Sequence, residues 1–188
     1  MRRLSILLVA SIAVLAAGVP TLGDLNGSLL NPFKPTGAAN VLFFISSDCP
    51  ISNSYAPTIQ RICAGLEDKG VHCMLLYEDI GMDQRGATKH LDEYSYRGIP
   101  AAIDADRRIA TYAKATITPE AVVIDRKGEI RYRGRINNFY AALGKPRQQV
   151  TQHDLVDALN AVISGKPVPN PETQALGCYI VSPDIFKK

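Results

Sequence analysis

The chain has 188 residues, of which 46% are hydrophobic and 21% charged, so one globular domain with short extensions is expected. Lysine and arginine number 21 against 18 aspartates and glutamates, and two of the positive charges, Arg2 and Arg3, lie in a segment that we expect to be removed. The near-neutral remainder gives no electrostatic basis for binding nucleic acid, and no nucleic-acid partner is expected.

The N-terminus, residues 1–23, has the pattern of an export signal. Arg2 and Arg3 precede an uncharged apolar run over residues 4–19, and small residues follow up to Gly23. Because the run is slightly short for a membrane-spanning helix, cleavage near Gly23 is expected, with an uncleaved membrane anchor as the alternative. In both cases the protein is exported to the periplasm or another extracytoplasmic compartment, where disulfides persist.

Predicted strands and helices alternate along the rest of the chain. Residues 24–39 are rich in Gly, Pro, Asn and Ser and are typical of a linker, with one short extended piece at 28–30. Hydrophobic periodicity predicts strands over 41–46, 71–77, 101–103, 120–124 and 129–133, and helices over 52–69, 83–94 and 107–114. This order predicts a mixed sheet with helices on both faces.

The C-terminal third is predicted to hold an irregular segment, a last helix and a tail. Residues 135–150 are irregular, and Thr151 is predicted to cap the helix, with Asp154 completing a near capping box. After Gly165, spaced prolines make a stiff extended tail that leads to Cys178.

The junction between the first buried strand and its helix carries the sequence Asp48-Cys49-Pro50. A cysteine at this place faces unpaired backbone N–H groups and the positive end of the helix dipole, which both favour the thiolate. Pro50 suits the first helical turn because its missing N–H would have no partner there. The pattern therefore predicts a reactive cysteine, with a buried structural cysteine as the alternative.

The other cysteines are Cys63, Cys73 and Cys178, and the four together permit three full pairings. Cys63 lies on the apolar face of its helix and Cys73 on a strand face, each roughly 10 Å from the turn at Gly70. The two cysteines are therefore level with each other along the helix and the strand, and either a structural disulfide or two buried thiols fits. No Cys-x-x-Cys is present and the histidines are scattered, so no metal and no cofactor are expected.

Together with the order of elements, several separated motifs resemble the thioredoxin superfamily over residues 40–165. The resemblance is closest to an exported, peroxiredoxin-like (redoxin) branch. Its motifs here are Asp48–Asn53, Tyr55–Pro57, Tyr132–Ile136, His153–Leu155 and Gly177–Cys178. The implied fold is α/β and thioredoxin-like, with three layers: a mixed central sheet and helices on both faces. The implied organisation is a signal or anchor at 1–23, a linker at 24–39, the domain at 40–165 and the tail at 166–188.

The resemblance also implies roles for individual residues. Cys49 matches the nucleophilic cysteine, and Ser52 stands where the second thioredoxin cysteine would be. Pro119 matches the cis-proline beside the site, and Pro50, Thr118 and Pro119 would help to bind a substrate peptide. A buried aspartate of thioredoxin is missing, because the corresponding neighbourhood, 42–44, reads Leu-Phe-Phe.

These residues predict an exported thiol–disulfide oxidoreductase that acts on protein or low-molecular-weight thiols and disulfides. The mixed disulfide formed by Cys49 needs a second thiol for its release. Cys178 is the candidate, since its tail is long enough to fold back across the domain. The alternative is that Cys178 anchors the tail or merely packs.

Other functions remain open at this point. A thiol peroxidase with antioxidant activity would place a Ser or Thr three residues before the reactive cysteine, as Ser46 is, but the proline expected earlier is Leu42. A Cu(I)-handling protein would use Cys49 and Cys178 with a histidine. Exported thioredoxin-like copper chaperones carry a second cysteine four residues after the first, but that position here is Asn53. A binding module without turnover is the third alternative, and His90 and His153 are expected to be structural.

Overall fold

The computed structural model describes residues 18–96 and 98–182. Residues 1–17 of the predicted export signal or anchor lie outside this part of the chain. Within the described residues, no helix is both long and apolar enough to cross a bilayer.

The described chain forms eleven strands and five α-helices. The strands are β1 (Leu22–Gly23), β2 (Leu29–Leu30), β3 (Ala39–Ile45), β4 (Val71–Tyr77), β5 (Ala101–Ile103), β6 (Ile117–Thr118), β7 (Glu120–Asp125), β8 (Ile130–Gly134), β9 (Tyr140–Ala142), β10 (Lys145–Pro146) and β11 (Cys178–Tyr179). The helices are α1 (Pro50–Ser54), α2 (Ala56–Ala64), α3 (Gln84–Glu93), α4 (Arg108–Ala113) and α5 (Asp154–Ile163).

A five-stranded sheet in the order β5-β4-β3-β7-β8 forms the centre of the fold. Strands β3, β4 and β5 are parallel, and β7 and β8 run antiparallel to their neighbours. All seven residues of β3 are buried, which explains why that strand is a continuous apolar run rather than an alternating one. The carboxyl ends of β3, β4 and β5 therefore meet at one edge of the sheet.

Both faces of the sheet are covered. One core includes apolar residues of α2, α3 and α5, among them Ile59, Ala87 and Leu159. The other includes residues of α4 and of the segment before β3, among them Ile109 and Phe33. The predicted three-layer arrangement, with a mixed sheet and helices on both faces, is confirmed. Residues 24–39, predicted as a linker, contribute buried side chains to the second core.

The helix predicted over 52–69 is divided. Tyr55 ends α1 and precedes α2, and a 3-10 turn at Glu67–Lys69 follows before the left-handed Gly70. Pro57 lies in the first turn of α2 and has no N–H to offer the carbonyl four residues back, which explains the break. The prediction of one continuous helix was wrong for this reason.

The start of the last helix also differs from its prediction. The helix begins at Asp154 with His153 before it, so Thr151 is not its cap. Thr151 instead accepts a hydrogen bond from Asn138 Nδ2 at 2.8 Å, and the Asp154 carboxylate pairs with Arg135 at 2.8 Å. Long-range partners thus occupy the two side chains expected to form a capping box.

A disulfide joins Cys63 of α2 to Cys73 of β4, with the two Cα atoms 5.9 Å apart. The hypothesis of a structural disulfide is confirmed, and the alternative of two reduced thiols is not the arrangement seen. The bond fastens α2 to the sheet at the end of β4 that lies away from Cys49.

Candidate functional site

Cys49 lies between β3 and α1, immediately before the helix. Pro50 occupies the first helical turn, and Cys49 has an extended backbone with φ −92° and ψ 108°. The Ser52 amide donates to the Cys49 sulfur over 3.5 Å, and the Cys49 thiol donates to the Thr118 carbonyl oxygen at 3.3 Å. One donor and one acceptor therefore fix the sulfur against the corner formed by Thr118 and Pro119.

Cys49 and Ser52 are both buried, each with 1% of its surface exposed to solvent. The Ser46 amide donates to the Ser52 hydroxyl at 3.3 Å, so the residue that replaces a second thiol ties the helix back to the end of β3. Since position 52 is a serine, a second sulfur beside Cys49 can come only from another part of the chain or from another molecule.

The loop before Cys49 is held by Asp79, which follows β4 at the same edge of the sheet. Its carboxylate accepts hydrogen bonds from the Ser46 and Ser47 hydroxyls, each at 2.9 Å, and from the Ser47 amide at 2.9 Å. The Asp48 amide lies 3.4 Å from the same oxygen. A single carboxylate therefore orders the three residues that lead into Cys49.

A hydrogen-bonded chain fixes α1 from the other side. Asn53 Nδ2 donates to the Ser47 carbonyl at 2.7 Å, and Asn53 Oδ1 lies 3.0 Å from His90 Nε2. Burial lowers the pKa of His90, so the imidazole is neutral at pH 7. Its Nε2–H then donates to Asn53, while the Tyr77 hydroxyl, 2.8 Å away, donates to Nδ1. His90 is thus part of the scaffold, as expected from the sequence.

The peptide bond between Thr118 and Pro119 is cis, as the resemblance implied. Behind it, the buried Glu120 carboxylate accepts hydrogen bonds from the amides of Thr116 at 2.8 Å and Ile117 at 3.3 Å. Burial raises the pKa of Glu120. This contact holds the loop whose Thr118 carbonyl faces Cys49.

The C-terminal strap, residues 171–182, crosses the site and is attached along its length. The Thr173 hydroxyl lies 2.6 Å from the Tyr132 hydroxyl. Strand β11 then pairs with β6 in antiparallel register, with Cys178 opposite Thr118. Farther on, Arg107 Nε donates to the Val181 carbonyl at 3.3 Å. The strap is therefore an added strand at the Thr118 edge, not a free tail.

Cys178 lies beside Cys49 because of this register. Cys178 is exposed and Cys49 buried, and neither is in a disulfide in this structure. Partial burial of its thiol, a hydrogen bond with Cys49 and the charge of Cys49 raise the pKa of Cys178 to about 11. Gly177 permits the approach, since a Cβ there would lie 1.9 Å from the Thr118 carbonyl oxygen. The structure thus brings together all five predicted site residues, Cys49, Pro50, Thr118, Pro119 and Cys178.

The Glu78 carboxyl lies beside the Arg107 guanidinium, under the last attachment of the strap. Arg107 Nε is 3.3 Å from Glu78 Oε2, and both side chains are buried. Burial and the nearby Asp104 raise the pKa of Glu78 to about 9, although Arg107 opposes the shift. Glu78 therefore keeps its proton at pH 7 despite its cationic neighbour.

We expect Glu78 to make the protein less stable as the pH rises from about 5 towards 9. The folded state retains a proton that the unfolded chain has lost, so stability falls by up to about 1.4 kcal/mol per pH unit in this window. Glu78→Gln removes this proton uptake, and its free energy of unfolding should fall less steeply over that window. Denaturant unfolding at several pH values measures the slopes, with the exposed Glu67→Gln as control. Equal slopes in Glu78→Gln and wild type would contradict the assignment.

Asp79→Ala is expected to disorder the approach to Cys49. The substitution leaves two hydroxyls and an amide without their anionic acceptor, and we expect a loss of about 2–3 kcal/mol in unfolding free energy. Alkylation of Cys49 should become faster, because the loop that positions it opens more often. Denaturant unfolding and the iodoacetamide rate measure the two effects. Asp92→Ala, which removes an exposed carboxylate from α3, should change neither, and an unchanged Asp79→Ala would refute the role.

The geometry does not favour the peroxidase or the Cu(I)-handling alternative. The Ser46 hydroxyl, which a peroxidase would direct at Cys49, donates instead to Asp79. Cys49 and Cys178 come together as a copper site would require, but the described residues contain no group of three or more His, Cys, Asp or Glu side chains placed to hold a metal.

Sequence reasoning missed Asp79 and the strand pairing of Cys178. Asp79 directly follows a predicted parallel strand, and the carboxyl ends of such strands meet at one edge, so its position carried a usable signal. The pairing of β11 with β6 carried none, because strands of two residues have no recognisable periodicity.

No family model matches the chain, and no curated protein is similar to it in sequence. Among solved structures, it is similar to a hypothetical protein of Sinorhizobium meliloti 1021, with 24% identity, a TM-score of 0.74 and coverage of 87% of this chain and 91% of that one. An uncharacterized thioredoxin-like protein of Porphyromonas gingivalis matches with 16% identity, a TM-score of 0.57 and coverage of 78% and 91%. A secreted Mycobacterium tuberculosis disulfide oxidoreductase, described as homologous to E. coli DsbE, matches with 17% identity, a TM-score of 0.54 and coverage of 78% and 96%. These likenesses confirm the predicted thioredoxin-like fold.

Proposed function

We propose that this chain, a protein of thioredoxin-like fold, is an exported thiol–disulfide oxidoreductase whose reactive sulfurs are Cys49 and Cys178. The observation that carries the proposal is the pairing of Cys178 opposite Thr118. The Thr118 carbonyl accepts a hydrogen bond from the Cys49 thiol. Two free cysteines converge at a cis-proline corner in a chain that has no Cys-x-x-Cys. The substrates are thiols and disulfides of proteins or small molecules, and membership of the redoxin branch stays a prediction from the motifs.

The chemistry is a reversible two-electron exchange. The thiolate of one cysteine attacks a substrate disulfide, which forms a mixed disulfide and releases one substrate thiolate. The thiolate of the other cysteine then attacks the protein sulfur of the mixed disulfide, the Cys49–Cys178 bond forms, and the second substrate sulfur leaves as a thiolate. In this direction the two cysteines are oxidised and the substrate is reduced. The reverse sequence consumes two external thiols, which become a disulfide, and returns both cysteines to the reduced state.

An exported location is part of the proposal. The basic and apolar N-terminus supports it, and so does the Cys63–Cys73 disulfide, which needs an oxidising compartment to persist. The structural neighbour from M. tuberculosis is itself described as secreted. N-terminal sequencing of the protein from extracytoplasmic fractions tests this, and cleavage near Gly23 is expected.

Cys178→Ser is expected to remove the internal disulfide and to slow turnover. An attached sulfur beside Cys49 has a far higher effective concentration than an external thiol, so we expect at least about a tenfold loss in the exchange rate between glutathione and a small disulfide. Mass spectrometry without reductant should show no disulfide between positions 49 and 178, that is, no species lighter by two hydrogens. Tyr179→Ala, at the neighbouring strap residue, is the control. Full turnover by Cys178→Ser would remove Cys178 from the proposal and leave Cys49 acting alone.

A further inference from the structure

The two free cysteines differ in their access to solvent. Cys49 is 1% exposed, whereas Cys178 is exposed on the strap. Strand β11, in which Cys178 contacts Cys49, occupies the Thr118 edge where a substrate peptide would otherwise pair. An external partner therefore meets Cys178 first and reaches Cys49 only after the strap separates from β6.

From this arrangement we infer that Cys178, not Cys49, is the sulfur that exchanges with external thiols and disulfides, and that Cys49 acts as the internal thiol behind it. The inference rests on the proposed redox pairing and reverses the roles implied by the resemblance, in which Cys49 meets the substrate. By microscopic reversibility, the same sulfur serves both the oxidation and the reduction of the pair.

An external thiolate attacks the Cys178 sulfur of the Cys49–Cys178 disulfide, a bond forms between the external sulfur and Cys178, and Cys49 leaves with the electron pair. The departing Cys49 sulfur keeps the hydrogen bond from the Ser52 amide. A second external thiolate then attacks the first external sulfur, releases an external disulfide, and leaves Cys178 to take up a proton.

Gly177 allows the strap to pack closely against Thr118 beside Cys49. A Cβ at Gly177 would lie 1.9 Å from the Thr118 carbonyl oxygen and 2.7 Å from its carbon, so any side chain there displaces β11 from β6. Position 179 differs, because Tyr179 is in the same strand but its side chain is 80% exposed. Gly177→Val and Tyr179→Val therefore form a matched pair: both introduce valine into β11, but only the first should displace the strand from β6.

The first experiment maps the site of first attack. The full chain, oxidised to the Cys49–Cys178 disulfide, is mixed with glutathione, quenched in acid at early times and digested without reductant. We expect the Cys178 peptide to carry at least roughly tenfold more glutathione than the Cys49 peptide at the earliest time, since closure by a short paired strand shields Cys49 by about that factor. Equal or greater labelling of Cys49 overturns the inference while leaving the proposed oxidoreductase intact.

The second experiment tests directly whether β11 shields Cys49 from solvent. In the Cys178→Ser background, Gly177→Val should raise the iodoacetamide rate of Cys49 by roughly tenfold, and Tyr179→Val should leave it near the parent value. Equal rates in the two variants overturn the inference. If no Cys49–Cys178 disulfide forms under oxidation, the inference fails together with the pairing, and exchange activity that survives in Cys178→Ser would then show that Cys49 acts without Cys178.

Discussion

Replacing Cys49 with serine is expected to abolish disulfide exchange. A serine hydroxyl is not ionised near neutral pH and is a far weaker nucleophile toward sulfur, so we expect turnover to fall by at least about a hundredfold, to the rate of uncatalysed exchange. The fold should be retained, because serine can still donate to the Thr118 carbonyl. The rate of exchange between glutathione and a small disulfide measures the loss.

The trapped species distinguishes this variant from a merely destabilised one. Cys49→Ser keeps Cys178, so treatment with oxidised glutathione alone should leave a mixed disulfide there that no internal thiol releases and that is detected as a mass adduct. Ser54→Ala, a substitution at an exposed serine of the same helix, controls for disturbance of α1 and should keep full turnover. Cys49→Ser with wild-type turnover would refute any redox role for Cys49.

Removing the Cys63–Cys73 disulfide is expected to have the largest effect on stability. The bond closes a loop across 10 positions of sequence, and constraint of the unfolded chain by a loop of this size is worth about 2.5–3 kcal/mol. The double variant Cys63→Ala/Cys73→Ala should lose about this much free energy of unfolding in denaturant titrations. Exchange activity should remain, because the bond lies away from Cys49 along β4.

Reduction of the wild type provides the matched control. Unfolding in the presence of a strong reductant should bring the wild type close to the double variant, while the same reductant should leave the double variant unchanged. A wild type and a double variant of equal stability without reductant would show that the disulfide contributes nothing to the fold.

The elements near Cys49 were predictable because local rules agree there. A buried apolar run, small polar residues and a proline at the first helical turn each favour the same junction, and the structure has Cys49 immediately before α1. The division of the following helix was missed because Pro57 falls in the first turn of α2, where proline is tolerated, so its disruptive effect on a longer helix was not apparent.

The remaining errors and omissions concern contacts between distant parts of the chain. Thr151 has the right identity for a cap, but a hydrogen bond from Asn138 competes for its hydroxyl. Asp79 binds residues that are more than thirty positions away in sequence. The pairing of Cys178 with Thr118 spans 60 positions, and nothing in either segment alone specifies its partner.

The most direct test is equilibration of the full chain with glutathione redox buffers, followed by acid trapping and mass spectrometry. If Cys49 and Cys178 form one redox pair, the reduced protein should convert in a single two-electron transition to a form joined between those residues, with Cys63–Cys73 unchanged throughout. A protein that instead acquires separate glutathione adducts at positions 49 and 178, with no bond between them at any ratio of oxidised to reduced glutathione, would contradict the account.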